Sequence, residues 1–385
     1  MNPGNRNPLI FDFLRRPIYN ANDPHHAFTV EEYESSMELT LEHLGRGYTD
    51  TEFSAMFRNR LGQIDTAAAF LLAQYQKYQL EKVSTDVINQ CSRWLGETGF
   101  SDYIGDGPMS KITPELPSRY SNRICLSEWN LTERGRNTDD DTRWKQFEPL
   151  FKRMVNNNKT KLSEASSDLI KLQLREILAN ISEHSSSNSC FVAAQYYAKN
   201  AESRYAGDDM IEISIFNAEK ISSAFIKKWL YKKLDNNLFL KAKGKEQLSF
   251  ALMPGFTTKS PLGLNVPQGD KFSIGSGLFL LSWLASKFGV FMLASDQSAV
   301  VVARGWDRPA YIRIPELSGT LVSFRINTAV GDLETSYLDV QKRASNLLRE
   351  RVKKTGGEPD SSAINLMQNG SWSDLLEEFH RNSRS

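Results

Sequence analysis

An almost unbroken apolar run, "IGSGLFLLSWLASKFGVFMLAS" at 274–295, leaves this chain two choices. A helix crossing a bilayer needs about 20 apolar residues, so the run either spans a membrane or is buried in a protein core. Lys287 falls inside it, and Gly275, Ser276, Gly277 and Gly289 punctuate it. Those breaks favour a buried helix over 277–288, a glycine turn, and a strand over 290–295. Composition agrees: 40% hydrophobic and 24% charged residues are the proportions of a soluble globular protein. With a net charge of +1, no global field attracts nucleic acid or an anionic membrane. The three cysteines, Cys91, Cys125 and Cys190, are far apart and form no CxxC pair. Neither a disulfide framework nor a zinc site is expected, and a reducing cytoplasm suits the chain. No apolar run follows the arginines near the N-terminus, so no signal peptide is expected.

Residues 1–27 are rich in Asn and Pro and read as an irregular arm. Helical patterns around "VEEYESSMELTLEHL" and "TAAAFLLAQYQKYQLEK" define a smaller α/β N-terminal domain over 28–100. Residues 101–141, dense in Pro, Gly, Asp, Asn and Ser, have connector composition. A second domain over 142–330 begins with helices at 143–156 and 162–184. Strands are expected at "CFVAAQYYA", at "MIEISIF", and at 290–295, 299–304, 310–315 and 319–327. In "MIEISIF", Ile211, Ile213 and Ile215 fall on one side and Glu212 and Ser214 on the other. The fold class is α+β: a two-layer α/β sandwich, a mixed sheet with helices on one face. A helical tail occupies 331–385. Its apolar set, Leu338, Val340, Leu347 and Val352, suits docking to a protein partner or a second copy.

Candidate chemistry lies in four stretches. In "LREILANISEHSS" the stripe Leu174, Ile177, Leu178, Ile181 faces the core, so Glu176, Asn180 and His184 share another ridge, one turn apart. Asn180 offers an uncharged oxygen suited to the octahedral shell of a phosphate-bound Mg²⁺. Glu176 is placed to orient or deprotonate a water or acceptor hydroxyl. His184 suits a helix-end contact or a supporting role. In "GSGLFLL", Gly275, Ser276, Gly277 and Leu278 bring backbone close to an anion where a helix starts. In "PGFTTKS", Thr258 and Lys259 occupy a loop able to fold over the same phosphates. The fourth is Thr320, beside Gly319 in "LSGTLVSFRI". Singly, each of these also suits a solvated helix face, a loop lysine or a turn.

In this order, over about residues 160–328, the motifs resemble the Bergerat-fold ATP-binding domain. Histidine kinases, anti-sigma-factor kinases, gyrase, mismatch-repair proteins and the large heat-shock chaperones (the GHKL group) share it. "EILANISEH", "FTTK", "GSGL" and Gly319-Thr320 carry the likeness. The resemblance implies ATP and Mg²⁺ as cofactors, Glu176 as catalytic base, and Asn180 as the metal ligand. It places His184, Asn217, Thr258, Lys259, Gly275, Ser276, Gly277, Leu278 and Thr320 around the nucleotide. One element departs: the family's Asp-x-Gly-x-Gly, which meets adenine, is replaced after the strand by "NAEKIS". Asn217 stands at the Asp position, or in another register Phe216 does, and neither glycine is present.

A fainter resemblance to STAS domains covers about 40 residues of "GQIDTAAAFLLAQYQKYQLEKVSTDVINQCSRWLGETGF". It rests on Asp65, Thr66 and Ala67 and on Gly99 and Phe100, and would make Thr66 a phospho-acceptor; read plainly, Asp65 caps a helix over 66–80. Three functions follow. The first is an ATP-binding regulatory, signalling protein, an ATPase that switches conformation or partner on Mg²⁺-ATP binding or slow hydrolysis. The second is a serine/threonine kinase of anti-sigma-factor type. The third is a pseudo-ATPase scaffold. The expected partner is a protein or a second copy, met through the N-terminal domain or the C-terminal helix.

Overall fold

The run at 274–295 folds as a helix and a strand that meet at Gly289. In the computed structural model, residues 29–35, 66–67, 70, 122–130, 140–157, 161–184, 189–197, 209–221, 248–249, 251–252, 254 and 277–355 are described. Their elements are β1 (Arg123–Asn130), α1 (Asp140–Asn157), α2 (Glu164–His184), β2 (Ser189–Tyr197), β3 (Met210–Asn217), α3 (Gly277–Phe288), β4 (Gly289–Ala303), β5 (Ala310–Asn327) and α4 (Leu333–Thr355). Among the described residues, no helix is long and apolar enough to cross a membrane.

Among the described residues the strands form a five-stranded sheet in the order β1-β2-β3-β5-β4. Every pairing among the described residues is antiparallel, where a mixed sheet was expected. β3 and β4 do run in the same direction, as a helical crossover requires. β5, however, inserts between them and is antiparallel to both. A second correction concerns the four short strands expected over 290–327. They are two long strands joined as a hairpin, bent where the register shifts around Asp296. Asp296 takes a left-handed φ of 54°, and the bulge leaves pairing intact on either side. A third correction places β1 inside the stretch read as connector, where it pairs with β2 at the sheet edge.

One sheet face carries the core. Val192, Ala194 and Tyr196 of β2, Ile211, Ile213 and Ile215 of β3, and Val322, Phe324 and Ile326 of β5 pack beneath the helices. Leu174, Ile177 and Leu178 of α2 are buried there, with Ile181 packed at the margin, as their spacing predicts. The α3 helix is apolar nearly all round, and Phe279, Leu281, Leu284 and Ala285 are buried. Its two buried serines return their hydroxyls to the helix: Ser282 donates to the Phe279 carbonyl at 2.9 Å and Ser286 to that of Trp283 at 2.8 Å. α4 is not a free tail. Leu333, Tyr337, Val340 and Ala344 join the same core, whereas Leu338 and Leu347 stay exposed.

The opposite face is covered too. Every residue of β3 is buried. Thr66, Ala67 and Phe70, from the stretch read as a separate N-terminal domain, lie directly on it. Residues 30–35 form a helix opened by a reciprocal capping box. There the Thr29 amide donates to Glu32 Oε2 at 2.9 Å and the Glu32 amide to Thr29 Oγ1 at 3.2 Å. This helix docks on the β4–β5 hairpin through Tyr33 against Trp306 and Glu31 with Arg308.

Candidate functional site

The direction of each element decides which predicted residues meet. α2 starts where β5 ends. Its N-cap Ser163 accepts the Ser166 amide at 3.1 Å and donates to the Val330 carbonyl at 3.1 Å, while Ser166 donates to the Asn327 carbonyl at 3.1 Å. At 1.5 Å per residue, α2 then runs about 30 Å along the sheet to His184, before β2 starts at Ser189. α3 runs the other way, since it ends where β4 begins. The two helices are tied by Gln173, whose side-chain amide donates to the Leu281 carbonyl at 2.8 Å. The C-terminal half of α2, with Glu176, Asn180 and His184, therefore lies at the same end of the sheet as Gly277 and Leu278, which open α3.

At that end the helix-covered face of the sheet changes character. Asn217, Thr320 and Ser295 are cross-strand neighbours, one step beyond the apolar row Ile215, Val322 and Leu293. The row is closely bonded. Asn217 donates from Nδ2 to the Ser189 carbonyl at 3.0 Å and accepts the Glu219 amide on Oδ1 at 3.0 Å. Thr320 donates to the Glu219 carbonyl at 2.7 Å; Ser295 donates to the Gly319 carbonyl at 3.0 Å and accepts the Ile221 amide at 3.1 Å. Lys220 lies between Asp296 at 2.7 Å and Glu316 at 3.0 Å, and these carboxylates hold its ammonium above the ordinary lysine range. Through Glu219, Lys220 and Ile221 the segment "NAEKI" is thereby fastened to β4 and β5, and through Asn217 to β2.

These bonds bear on each candidate. Asn217, not Phe216, is on the helix-covered face; Phe216 turns to the opposite face and stacks with Phe70 and Phe191. The Asn217 oxygen expected to meet adenine already accepts the Glu219 amide, and its nitrogen is also engaged. Asn180 contrasts with it: the residue is partly exposed, yet its Nδ2 is buried with no hydrogen-bond partner. Glu176 is partly exposed one turn earlier, and Leu278 packs on the edge of the core. His184 is the last residue of α2. Thr258, Lys259, Gly275 and Ser276 lie outside the described residues. Among the described residues, no three or more His, Cys, Asp or Glu side chains gather as a metal site.

Two participants escaped the sequence reading. Ser295 carries no motif and gains its place only through register with Thr320. Lys220 reads as an ordinary surface lysine until the left-handed Asp296 turns its carboxylate toward it. Comparison of the chain with protein-family models, with curated proteins and with solved structures finds no match.

Proposed function

We propose that the chain is a regulatory protein that binds a nucleoside triphosphate, with Mg²⁺-ATP the first ligand to test. The supporting observation is the Asn180 carboxamide, whose buried nitrogen the protein leaves without a partner. It lies at the end of the sheet where α2 finishes, α3 starts, and the sheet turns from Ile, Val and Leu to Asn, Thr and Ser. A buried polar group without a partner is costly and calls for an explanation, and a ligand bonded to the amide supplies one. In this reading the Asn180 nitrogen donates to a phosphate oxygen while its carbonyl oxygen faces the cation. The first amides of α3 face the phosphates, and Glu176 orients or deprotonates the attacking water or hydroxyl. Mg²⁺, when bound, neutralises phosphate charge and is held mainly by phosphate oxygens.

The fastened Asn217 favours a second reading, a scaffold that retains the architecture and binds no nucleotide. Thermal denaturation with and without Mg²⁺-ATP separates the two, because a ligand that binds only the folded state raises the midpoint. A midpoint unmoved by Mg²⁺-ATP leaves the scaffold. Transfer of labelled γ-phosphate onto protein would identify a kinase of anti-sigma-factor type, and release of free phosphate an ATPase. We place the protein in the cytoplasm, because three cysteines spaced far apart with no CxxC pair suit a reducing compartment. A protein partner or second copy would meet it through its N-terminal region or through α4, where Leu338 and Leu347 are exposed.

A further inference from the structure

Across β1, β2, β3 and β5, Arg123, Gln195, Glu212 and Arg325 stand side by side on the sheet face turned away from α2 and α3. Arg123, on the outer strand, is partly exposed, whereas Gln195 and Glu212 are 0% exposed and Arg325 is 1% exposed. A polar row thus runs from β1 into the core, where each polar group needs a partner. Glu212 has its complement, since a carboxylate offers about four acceptor positions. Its Oε1 accepts the Thr66 hydroxyl at 2.6 Å and the Ala67 amide at 2.9 Å, and its Oε2 accepts the Tyr197 hydroxyl at 2.5 Å and Arg325 Nη2 at 2.8 Å. Gln195 differs: its side-chain nitrogen and oxygen are both buried, and among the described residues neither has a hydrogen-bond partner. Its neighbours in the row cannot serve the nitrogen. The Arg123 guanidinium only donates, and the Glu212 carboxylate is filled.

The backbone beside Gln195 is irregular as well. Ile124 pairs with Ala194 and Ser127 with Val192, so two β1 residues stand opposite Ala193. Such a bulge disrupts the ladder locally. We propose that Gln195 and this bulge form an internal hydration site, in which the carboxamide holds an ordered water that exchanges with solvent past β1. Water is the ligand that the chemistry selects. It accepts from the nitrogen and donates to the oxygen, so the site is satisfied whichever way round the carboxamide lies. It is also neutral. An anion would face the Glu212 carboxylate on one side, and a cation the Arg123 guanidinium on the other. Buried waters make about three hydrogen bonds, and backbone groups at the disrupted ladder can supply those that Gln195 does not.

The site lies across the sheet from α2 and shares no residue with the nucleotide reading. A crystal structure of the full chain tests it directly. Ordered density for a water should lie about 2.7–3.2 Å from the Gln195 carboxamide. Gln195→Met, similar in length but without the amide, should lose that density. In solution, selectively labelled glutamine side-chain amides should show a cross-peak to water of the sign that marks long residence, at the resonance pair missing from Gln195→Met. A protein side chain bonded to both carboxamide atoms, no density beside them, or no such cross-peak overturns the inference. Density that persists unchanged in Gln195→Met overturns it too, because other groups then hold the water. Should Gln195→Met fail to fold, the wild-type density decides alone.

Discussion

Gly319 has no room for a side chain. A Cβ built there would stand 2.1 Å from the Asn217 carbonyl oxygen and 2.7 Å from the Phe216 ring. The close approach lets β5 pass β3 at the point where Asn217 and Thr320 become neighbours. Gly319→Ala should therefore cost about 1–3 kcal/mol, as overpacking does. Gly331→Ala, with nothing within 4 Å, should stay within about 0.5 kcal/mol of wild type. Urea midpoints measure both, and equal tolerance would refute the close approach. Glu212 makes a second residue-scale case, since removing one member of a buried ion pair leaves the other charge uncompensated. Glu212→Gln, which strips Arg325 of its counter-charge, should lower stability by about 3–5 kcal/mol in the same measurement. The sequence exposes Glu212 as the polar residue of an alternating strand, yet its burial depends on Thr66, 146 positions away. Alternation states only which residues share a face; it does not say what comes to cover that face.

Helix ends show the same division at the scale of elements. The bounds of α2 and α3 were legible because apolar periodicity, flanking serine and glycine, and length all agree. β1 was not, because a short edge strand bordered by Pro, Gly and Asp has the composition of a connector. Nor was the bend in the β4–β5 hairpin, which turns on one left-handed aspartate rather than a glycine. α4 offers a test of local capping. Asp332 accepts the Thr335 amide on Oδ1 at 2.9 Å, and bonds from Thr335 hold its carboxyl below the usual range. A carboxyl depressed in the folded state stabilises above its unfolded pKa and loses that contribution as pH falls through the folded one. The first turn of α4 should thus fray on acidification below the ordinary carboxylate range, seen as faster exchange of its amides. Asp332→Asn keeps a capping oxygen without a titrating group. It should hold the turn at every pH, and a variant that still frayed with wild-type pH dependence would remove Asp332 from the explanation.

For the whole molecule, ligand binding and folding are linked, which makes the nucleotide proposal measurable without knowing the partner. A ligand at a hundred times its Kd stabilises the fold by about 2.7 kcal/mol if it binds only the folded state. The two ridge residues should then separate. Asn180→Ala removes the oxygen assigned to the cation, so Mg²⁺-ATP should no longer raise the denaturation midpoint, whereas the midpoint without ligand should barely move. That side chain is partly exposed, and the hydrogen-bond capacity of its buried nitrogen is unused by the protein. Glu176→Ala should keep the ligand-induced rise and lose phosphate release, because a base acts on the reaction rather than on binding. The fastened Asn217 adds a sharper expectation. With Asn217 buried and its carboxamide bonded to Ser189 and Glu219, that position is not presented to a base to distinguish adenine from guanine. ATP and GTP should raise the midpoint about equally, and tripolyphosphate should retain most of the effect. A large preference for ATP would mean that Asn217 exchanges its internal partners for the base, and the "NAEKI" segment would have to come loose from β4 and β5 to allow it.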